Sequence, residues 1–275
     1  MTMGVKKSIM AKKTLHVALL THTPDVENTI SMAARLCYSG AHIDELMKKT
    51  QAQDQAGFIQ KLVDMGHLSP IEHVSFTYGI EGVSRALLAQ ITRHRIASFS
   101  VQSQRYVSQS KQGLQYILPP SIERLGAEAI EAYDTQMNQM QSWYEEWCEK
   151  LGAEKKEDAR FVLPNACETR IVMTVNAREL IHFFRLRCCE RAQWEIRALA
   201  WVMLGHALRA APVLFSHAGP SCVSGACSEG NMSCGRLKEI REQAQSLTTF
   251  VSEIGHLENF GEKLETWAQD RICVG

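Results

Sequence analysis

From Ser121 to Leu151 an apolar residue returns every three or four positions: Ile122, Leu125, Ala129, Tyr133, Met137, Met140, Tyr144, Trp147 and Leu151. That spacing lines one face of a long helix, and Gly152 supplies a residue on which a helix can end. The Met and Trp stripe reads as core, not as a cofactor box. Elsewhere the period changes. Val74, Phe76, Tyr78 and Ile80 alternate with Ser75, Thr77, Gly79 and Glu81, the mark of a half-buried strand. Thr14–Leu20 and Thr169–Val175 also read as strands. Helices are expected over Asp25–Cys37, with Asp25 as N-cap, over Gln55–Met65, ending at Gly66, and from Ser84 to about Arg93. Two more follow, one from about Ala177 and one carrying Ile196 to Ala211, and a charged final helix is expected around 235–268.

Helix and strand patterns are interleaved without repeats, and no Gly/Ser linker divides them. The fold class expected is α+β: a single mixed domain with a mostly antiparallel sheet flanked by helices. Residues 1–13 read as a flexible N-terminus, 14–215 as the body, and 216–275 as a Cys-containing loop and C-terminal helix packed on it. The short apolar run Leu15–Leu20 after four lysines is too brief for a signal peptide, and no stretch has the ~20 apolar residues of a membrane span. Nine cysteines, an odd number and mostly scattered, suit a reducing cytoplasm better than a disulfide scaffold.

With 30 basic and 30 acidic residues, the 275-residue chain has no net charge, which disfavours a dedicated nucleic-acid or membrane-surface binder. The balance is uneven along the chain. From Gly82 to Ile122 there is no acid, while Arg85, Arg93, Arg95, Arg105 and Lys111 are cationic; from Glu123 to Asp158 ten acids face four bases. The second block reads as a solvated helix face.

The first block carries RHRIASFSVQSQRY from Arg93 to Tyr106. Arginine forks bind phosphate oxygens in pairs, and Ser98, Ser100, Ser103 and the amides of Gln102 and Gln104 can fill the remaining lone pairs. Physical chemistry alone favours a site for a phosphorylated small molecule over arginines that merely offset a helix dipole.

Arg93-His94-Arg95, seven residues, then Ser103 matches the signature of the flavin-dependent thymidylate synthases, and the chain resembles that family elsewhere in the same order. The segments are AARLCYS at 33–39, GHLSPIEH at 66–73, FVLPNACETR at 161–170, and TVNARELIHFFRLR at 174–187 with AQWEIR at 192–197. The resemblance spans roughly 14–215 and identifies 14–215 as the family's catalytic domain. It implies reductive methylation of dUMP to dTMP, with methylenetetrahydrofolate as carbon donor and FAD, recharged by NADPH, as hydride source. It also implies a homotetramer with shared active sites, with self, dUMP, folate and NADPH as partners and neither nucleic acid nor membrane. No GxGxxG follows a strand, so a non-Rossmann flavin site is expected.

By the same resemblance Ser69, Arg93, His94, Arg95, Val101, Asn176, Ala177, Arg178 and His182 bind the flavin. Gln90, Ile91, Thr92, Arg93, Val101, Gln102, Ser103, Gln104, Arg105, Arg160 and Arg187 bind the nucleotide, and His67 borders the folate. Arg187 matches the arginine that lies against the uracil ring, where a guanidinium stabilises developing negative charge. Many relatives have Asn and Glu where this chain has Ser100 and Val101, so any side-chain contact from that acid is missing.

Three other readings compete. Cys188 or Cys189 beside Arg187 could act as a nucleophile on uracil, as in thymidylate synthases that use folate alone, but free cysteines are more often buried apolar residues. The basic segment could serve a nucleotide- or RNA-binding module. Finally, His217, Cys222, Cys227 and Cys234 in a Gly-rich loop could hold zinc for an interaction protein. Their spacing fits no standard finger, and a packed loop with free thiols and no metal is the expectation.

Overall fold

The computed structural model describes residues 12–105, 113–152 and 156–272; most of the expected flexible N-terminus, Tyr106 and Lys111 lie outside them. In chain order the elements are β1 (His16–His22), α1 (Val26–Leu36), α2 (Ile43–Gln51), α3 (Ala56–Asp64), β2 (Ser75–Ser84), α4 (Arg85–Ile91) and β3 (Ala97–Val101). Then come α5 (Pro120–Glu123), α6 (Ala127–Leu151), α7 (Lys156–Ala159), β4 (Glu168–Asn176), α8 (Ala177–Arg187), α9 (Trp194–Ala210), α10 (Pro212–Phe215), α11 (Ser221–Ser224), α12 (Leu237–Ile254) and α13 (Phe260–Ile272). They make a mixed α+β domain around a four-stranded sheet of order β1-β2-β4-β3.

The sheet is antiparallel, as the alternating pattern leads one to expect. Thr23 N bonds Ser75 O at one end of β1 and β2, while Gly82 abuts Thr14 at the other. Between β2 and β4 the Thr77 and Thr174 hydroxyls meet at 2.9 Å, and Gly82 N donates to the Glu168 carboxylate at 3.2 Å. Phe76, Tyr78 and Ile80 point inward from β2 and are fully buried. Gly82 is required where it stands: its φ is +67°, and a Cβ there would lie 1.8 Å from Thr14 O.

Two compact units, each built from interleaved segments, can be told apart. One takes the chain up to His16, Ile80–Arg93 and Ser100–Ile171; the other takes Val17–Gly79, His94–Phe99 and Val172–Gly275. In the first, Leu114, Tyr116, Met137 and Cys167 form a buried cluster against Tyr133 and Met140. The helical stripe that contributes Met137 is shorter than its spacing predicts. Gly126 at φ +95° separates α5 from α6, leaving Leu125 75% exposed, and Trp147 is 44% exposed. That part of the stripe is surface.

The second unit is organised by α9, whose residues Glu195–Leu208 are all buried. Its neighbours are α8, α10, α12 and α13. Gly205 lets α13 approach, since a Cβ there would meet Leu264 at 2.6 Å. Arg197, buried in α9, is held by Glu190 at 3.1 Å and donates to Ile272 O at 3.0 Å. Glu265 of α13 accepts from Val17 N on edge strand β1 at 2.8 Å. The expected final helix is two helices, α12 and α13, with Gly255 ending the first. Helix α2 was not anticipated, because its nine residues carry few apolar groups. Asp25 precedes α1 in a left-handed conformation and makes no side-chain cap. Among the described residues no helix is long and apolar enough to cross a membrane.

Candidate active site

The polar end of β3 belongs to the first unit. There Gln102 N donates to Arg170 O at 2.9 Å, and Gln102 O accepts from the Arg85 guanidinium at 2.8 Å. The next turn is closed by Ser103 Oγ, which accepts from Arg105 N at 3.1 Å. Arg105 Nε pairs with the Glu157 carboxylate at 2.7 Å, and Arg160 Nε donates to Glu157 O at 3.0 Å. Arg85 is near enough to Arg160 that the two charges repel; burial, chiefly, and then this repulsion lower the Arg85 pKa. Three guanidinium groups, a serine hydroxyl and the Gln102 amide thus gather in one place. Sequence reading anticipated Arg105, Arg160, Gln102 and Ser103 here but gave no site role to Arg85, and it missed Glu157, which already occupies the Arg105 fork.

Not every expected nucleotide contact faces outward. Ser84 Oγ accepts from Leu87 N at 3.0 Å and starts α4, which buries Ile91 completely. The Ile91 side chain is therefore core, leaving only its backbone for a ligand. Gln90 and Val101 are half-buried, Gln104 is half-buried, and Thr92 and Arg93 are exposed, with the Thr92 hydroxyl donating back to Leu88 O.

The second unit holds the other cluster. Asn176 Oδ1 caps α8 by accepting from Glu179 N at 2.9 Å, which sets Glu179 in the first helical turn. Glu179 Oε1 lies 3.0 Å from His94 Nδ1, and Arg187 Nε donates to His94 Nε2 at 3.0 Å. An arginine nitrogen can only donate, so Nε2 must be the acceptor and Nδ1 must carry the proton that goes to Glu179. The imidazole is neutral in this arrangement. Burial lowers its pKa most; the Glu179 hydrogen bond works against that, while the Arg187 and His182 charges push the same way as burial. His94 is buried and both ring nitrogens are engaged, so it has no ring nitrogen left for a flavin. Its flanking arginines, Arg93 and Arg95, are exposed.

Beside this chain lies a cavity of about 540 Å³ with apolar walls from Leu68, Ile96 and Ile181 and polar groups of both signs, Arg178 and Arg185 against Glu72 and Glu179, with Asn176 and His182. Arg178 and His182 share it, as their four-residue separation on α8 predicts. Arg178 also bonds Glu72. Ala177 is buried with its N–H donated to Val74 O, so it offers a ligand neither a side chain nor that amide. Ser69 is exposed at the start of the Ser69–His73 turn, and His67 is half-buried just before it. Glu179, missed in sequence, was legible as the fourth residue of an Asn-x-x-Glu capping box.

Cys188 and Cys189 do not have the setting of a nucleophile. Burial pushes both thiols up, that of Cys188 well above its ordinary range. His217 lines a cavity of about 820 Å³ with Gln60 and Asp64, and none of the cysteines it was grouped with is among that cavity's lining.

Guanidinium groups gathered at a strand end, and an arginine held by a tautomer-fixed histidine, define a class: a mixed α+β protein with two arginine-based clusters. The comparisons with known proteins supply the family. The family described as thymidylate synthase complementing protein matches residues 18–213. The chain is 49% identical over 227 residues to a flavin-dependent thymidylate synthase of Geobacter sulfurreducens, covering 82% of this chain and 97% of that one. It is 48% identical over 254 residues to one of Clostridium tetani, covering 88% and 97%. Among solved structures, the UMP/dUMP methylase PolB from Streptomyces cacaoi, bound with 5-Br dUMP, superposes with a TM-score of 0.63 over 76% of this chain and 96% of that one; at 23% identity this bears on fold alone. The chain belongs to the flavin-dependent thymidylate synthase family and is an enzyme.

Proposed function

We propose that this enzyme methylates dUMP reductively to dTMP, taking carbon from methylenetetrahydrofolate and reducing equivalents from NADPH. The observation that carries the reading is the Glu179–His94–Arg187 chain, which holds one guanidinium in a fixed orientation at the end of α8. Family membership supports that reading, since Arg187 falls where the family places its uracil-facing arginine. When bound, reduced FAD supplies the hydride.

This chain's own residues do the rest. Arg85, Arg105 and Arg160, with Ser103 and Gln102, hold the nucleotide phosphate through paired charge-assisted bonds. Gln90 and Thr92 and the Ile91 backbone border the nucleoside, with Val101 and Gln104 beside it. Arg187 stabilises negative charge developing on the pyrimidine and transfers no proton. Arg178, His182, Asn176 and Ser69 hold the flavin without a Rossmann motif, Arg93 and Arg95 supply cations to it, and His67 borders the folate. His94 acts at one remove, by orienting Arg187. The enzyme works as a homotetramer whose active sites are shared between subunits.

The test is direct. Purified protein given FAD should show a flavin absorption spectrum, and with NADPH, dUMP and methylenetetrahydrofolate under anaerobic conditions it should form dTMP. Arg187→Ala should keep the flavin spectrum and lose turnover. A colourless protein that takes up no FAD and forms no dTMP would overturn the reading.

A further inference from the structure

The loop between α11 and α12 has little apolar burial to hold it. Residues 224–236 are exposed except for half-buried Cys227, and Met232 among them is 56% exposed. Yet Cys222 of α11 and Cys227 and Cys234 of this loop meet Cys189, just beyond α8, around one small cavity of about 10 Å³. That is space for the centre of a single atom-sized body. Of the eight described cysteines, all free, four line this one cavity, and these four are separated in sequence by up to 45 positions. Their proximity shows in their electrostatics as well: Cys189 feels Cys227 and Cys234, while Cys222 feels Cys189, Cys227 and Cys234.

We propose that Cys189, Cys222, Cys227 and Cys234 are the four ligands of a structural zinc ion that ties this loop to the end of α8. Four sulfurs and no open position make the donor set of a closed tetrahedral site for a thiophilic ion. Among the described residues no such group already stands at ligating distances. Neutral thiols have no reason to close up, because tetrahedral Zn–S bonds bring sulfurs to about 3.8 Å, near their van der Waals contact. Binding Zn²⁺ releases the four thiol protons and leaves a net charge of −2 on the site.

The cavity's charged neighbours are mixed: Arg191 lines it with Glu190 and Glu229, and Arg241 stands beside it. Arg241 donates to Cys222 O at 2.8 Å and Gly225 O at 3.0 Å, fixing the first turn of the loop. Arg191 donates to Met232 O at 3.1 Å, and its backbone N–H favours the Cys189 thiolate. The guanidinium groups hold the loop's backbone in place, and the Arg191 N–H is the kind of partner that orients a thiolate. His217 has no part in the site, which is why the spacing of the loop's own His and Cys residues fits no finger: the fourth ligand comes from 33 residues upstream of Cys222.

The test uses the full, tag-free chain expressed with zinc and purified with reductant and without chelator. Plasma mass spectrometry should find about one zinc per chain. Cys222→Ser and Cys227→Ser should each reduce that to under about a tenth, while Cys37→Ser, just past the end of α1, should leave it unchanged. Cobalt replacing zinc should give the intense thiolate-to-metal absorption of all-sulfur ligation. If the serine variants fail to fold, the wild-type protein still decides the matter, because zinc should shield four thiols from a disulfide reagent until a chelator is added. Little or no zinc both as purified and after reconstitution, zinc content indifferent to Cys222→Ser, iron–sulfur absorption, or disulfides among these four cysteines would each overturn the proposal.

Discussion

Replacing His94 separates a ligand-contacting role from a positioning one. His94→Leu removes the acceptor of Arg187 Nε and the donor to Glu179, in a place where the imidazole is 5% exposed. A hydrogen bond to a charged group is worth about 1.5–3 kcal/mol, so a guanidinium freed from it should slow the chemical step by about 10- to 100-fold. His94→Gln can still present an oxygen near the position of Nε2 and should recover most of that loss. The assay is single-turnover dTMP formation with pre-reduced enzyme, alongside the dUMP KM and FAD affinity measured by the flavin spectrum. If His94 only orients Arg187, the rate falls while FAD affinity stays within about twofold, because neither ring nitrogen is available to the cofactor. Wild-type kcat should also fall on the acid side with an apparent pKa below the ordinary imidazole value of about 6.5, since protonated His94 cannot accept from Arg187. That limb should vanish in His94→Gln. Full turnover by His94→Leu, or loss of FAD binding in both variants, would refute the reasoning.

Other outcomes follow from single contacts. Glu157→Gln removes the carboxylate seated on Arg105; an exposed pair of this kind is worth about 1 kcal/mol at most, so the dUMP KM should fall by up to about fivefold with thermal stability unchanged. A KM that rises would take Arg105 out of the phosphate site. Cys188→Ala should cost about 1 kcal/mol of stability and leave turnover intact, because the thiol is buried and protonated; lost turnover with flavin still bound would restore the nucleophile. Gly82→Ala should destabilise by about 2 kcal/mol or more, read as a lower melting temperature, since its φ is left-handed and its Cβ would strike Thr14 O. Stability should decline as pH falls through about 6.5 toward the lower folded pKa of His94: in that window the unfolded chain binds the proton and the folded one does not. Denaturant titrations of wild type and His94→Gln would isolate this contribution.

The elements read correctly from sequence are those whose burial is one-sided. β2 alternates because one face is buried, and α8 announces itself through Asn176 and Glu179 as well as its apolar spacing. α9 is buried on nearly every side, yet the helical spacing of Ile196, Leu199, Ala200, Met203, Leu204, Ala207 and Leu208 still marks it. The errors have local causes. One φ-positive glycine, Gly126, broke what spacing alone presented as a single helix, and a few residues around Gly255 broke another. α2, short and polar-rich, left almost no stripe to find.

The site was legible as a set of residues but not as a set of directions. Arg93, His94 and Arg95 are neighbours in sequence, which invites reading them as three cationic prongs. The chain turns between α4 and β3 so that the arginines face solvent while the histidine enters the core, where it is neutral. A motif specifies which groups are present; only packing decides which of them keep a free donor. For His94 both nitrogens are consumed, one by Glu179 and one by Arg187, and the proton's place on Nδ1 follows from the fact that arginine cannot accept. The same reasoning runs in the other direction for the cysteines. Spacing within residues 217–234 fits no metal motif because one of the four thiols, Cys189, belongs to a segment that contact with the loop alone makes relevant. An arginine held by a neutral histidine requires that histidine to stay dry: burial supplies the low pKa, while the Arg187 donor and the Glu179 acceptor fix the tautomer.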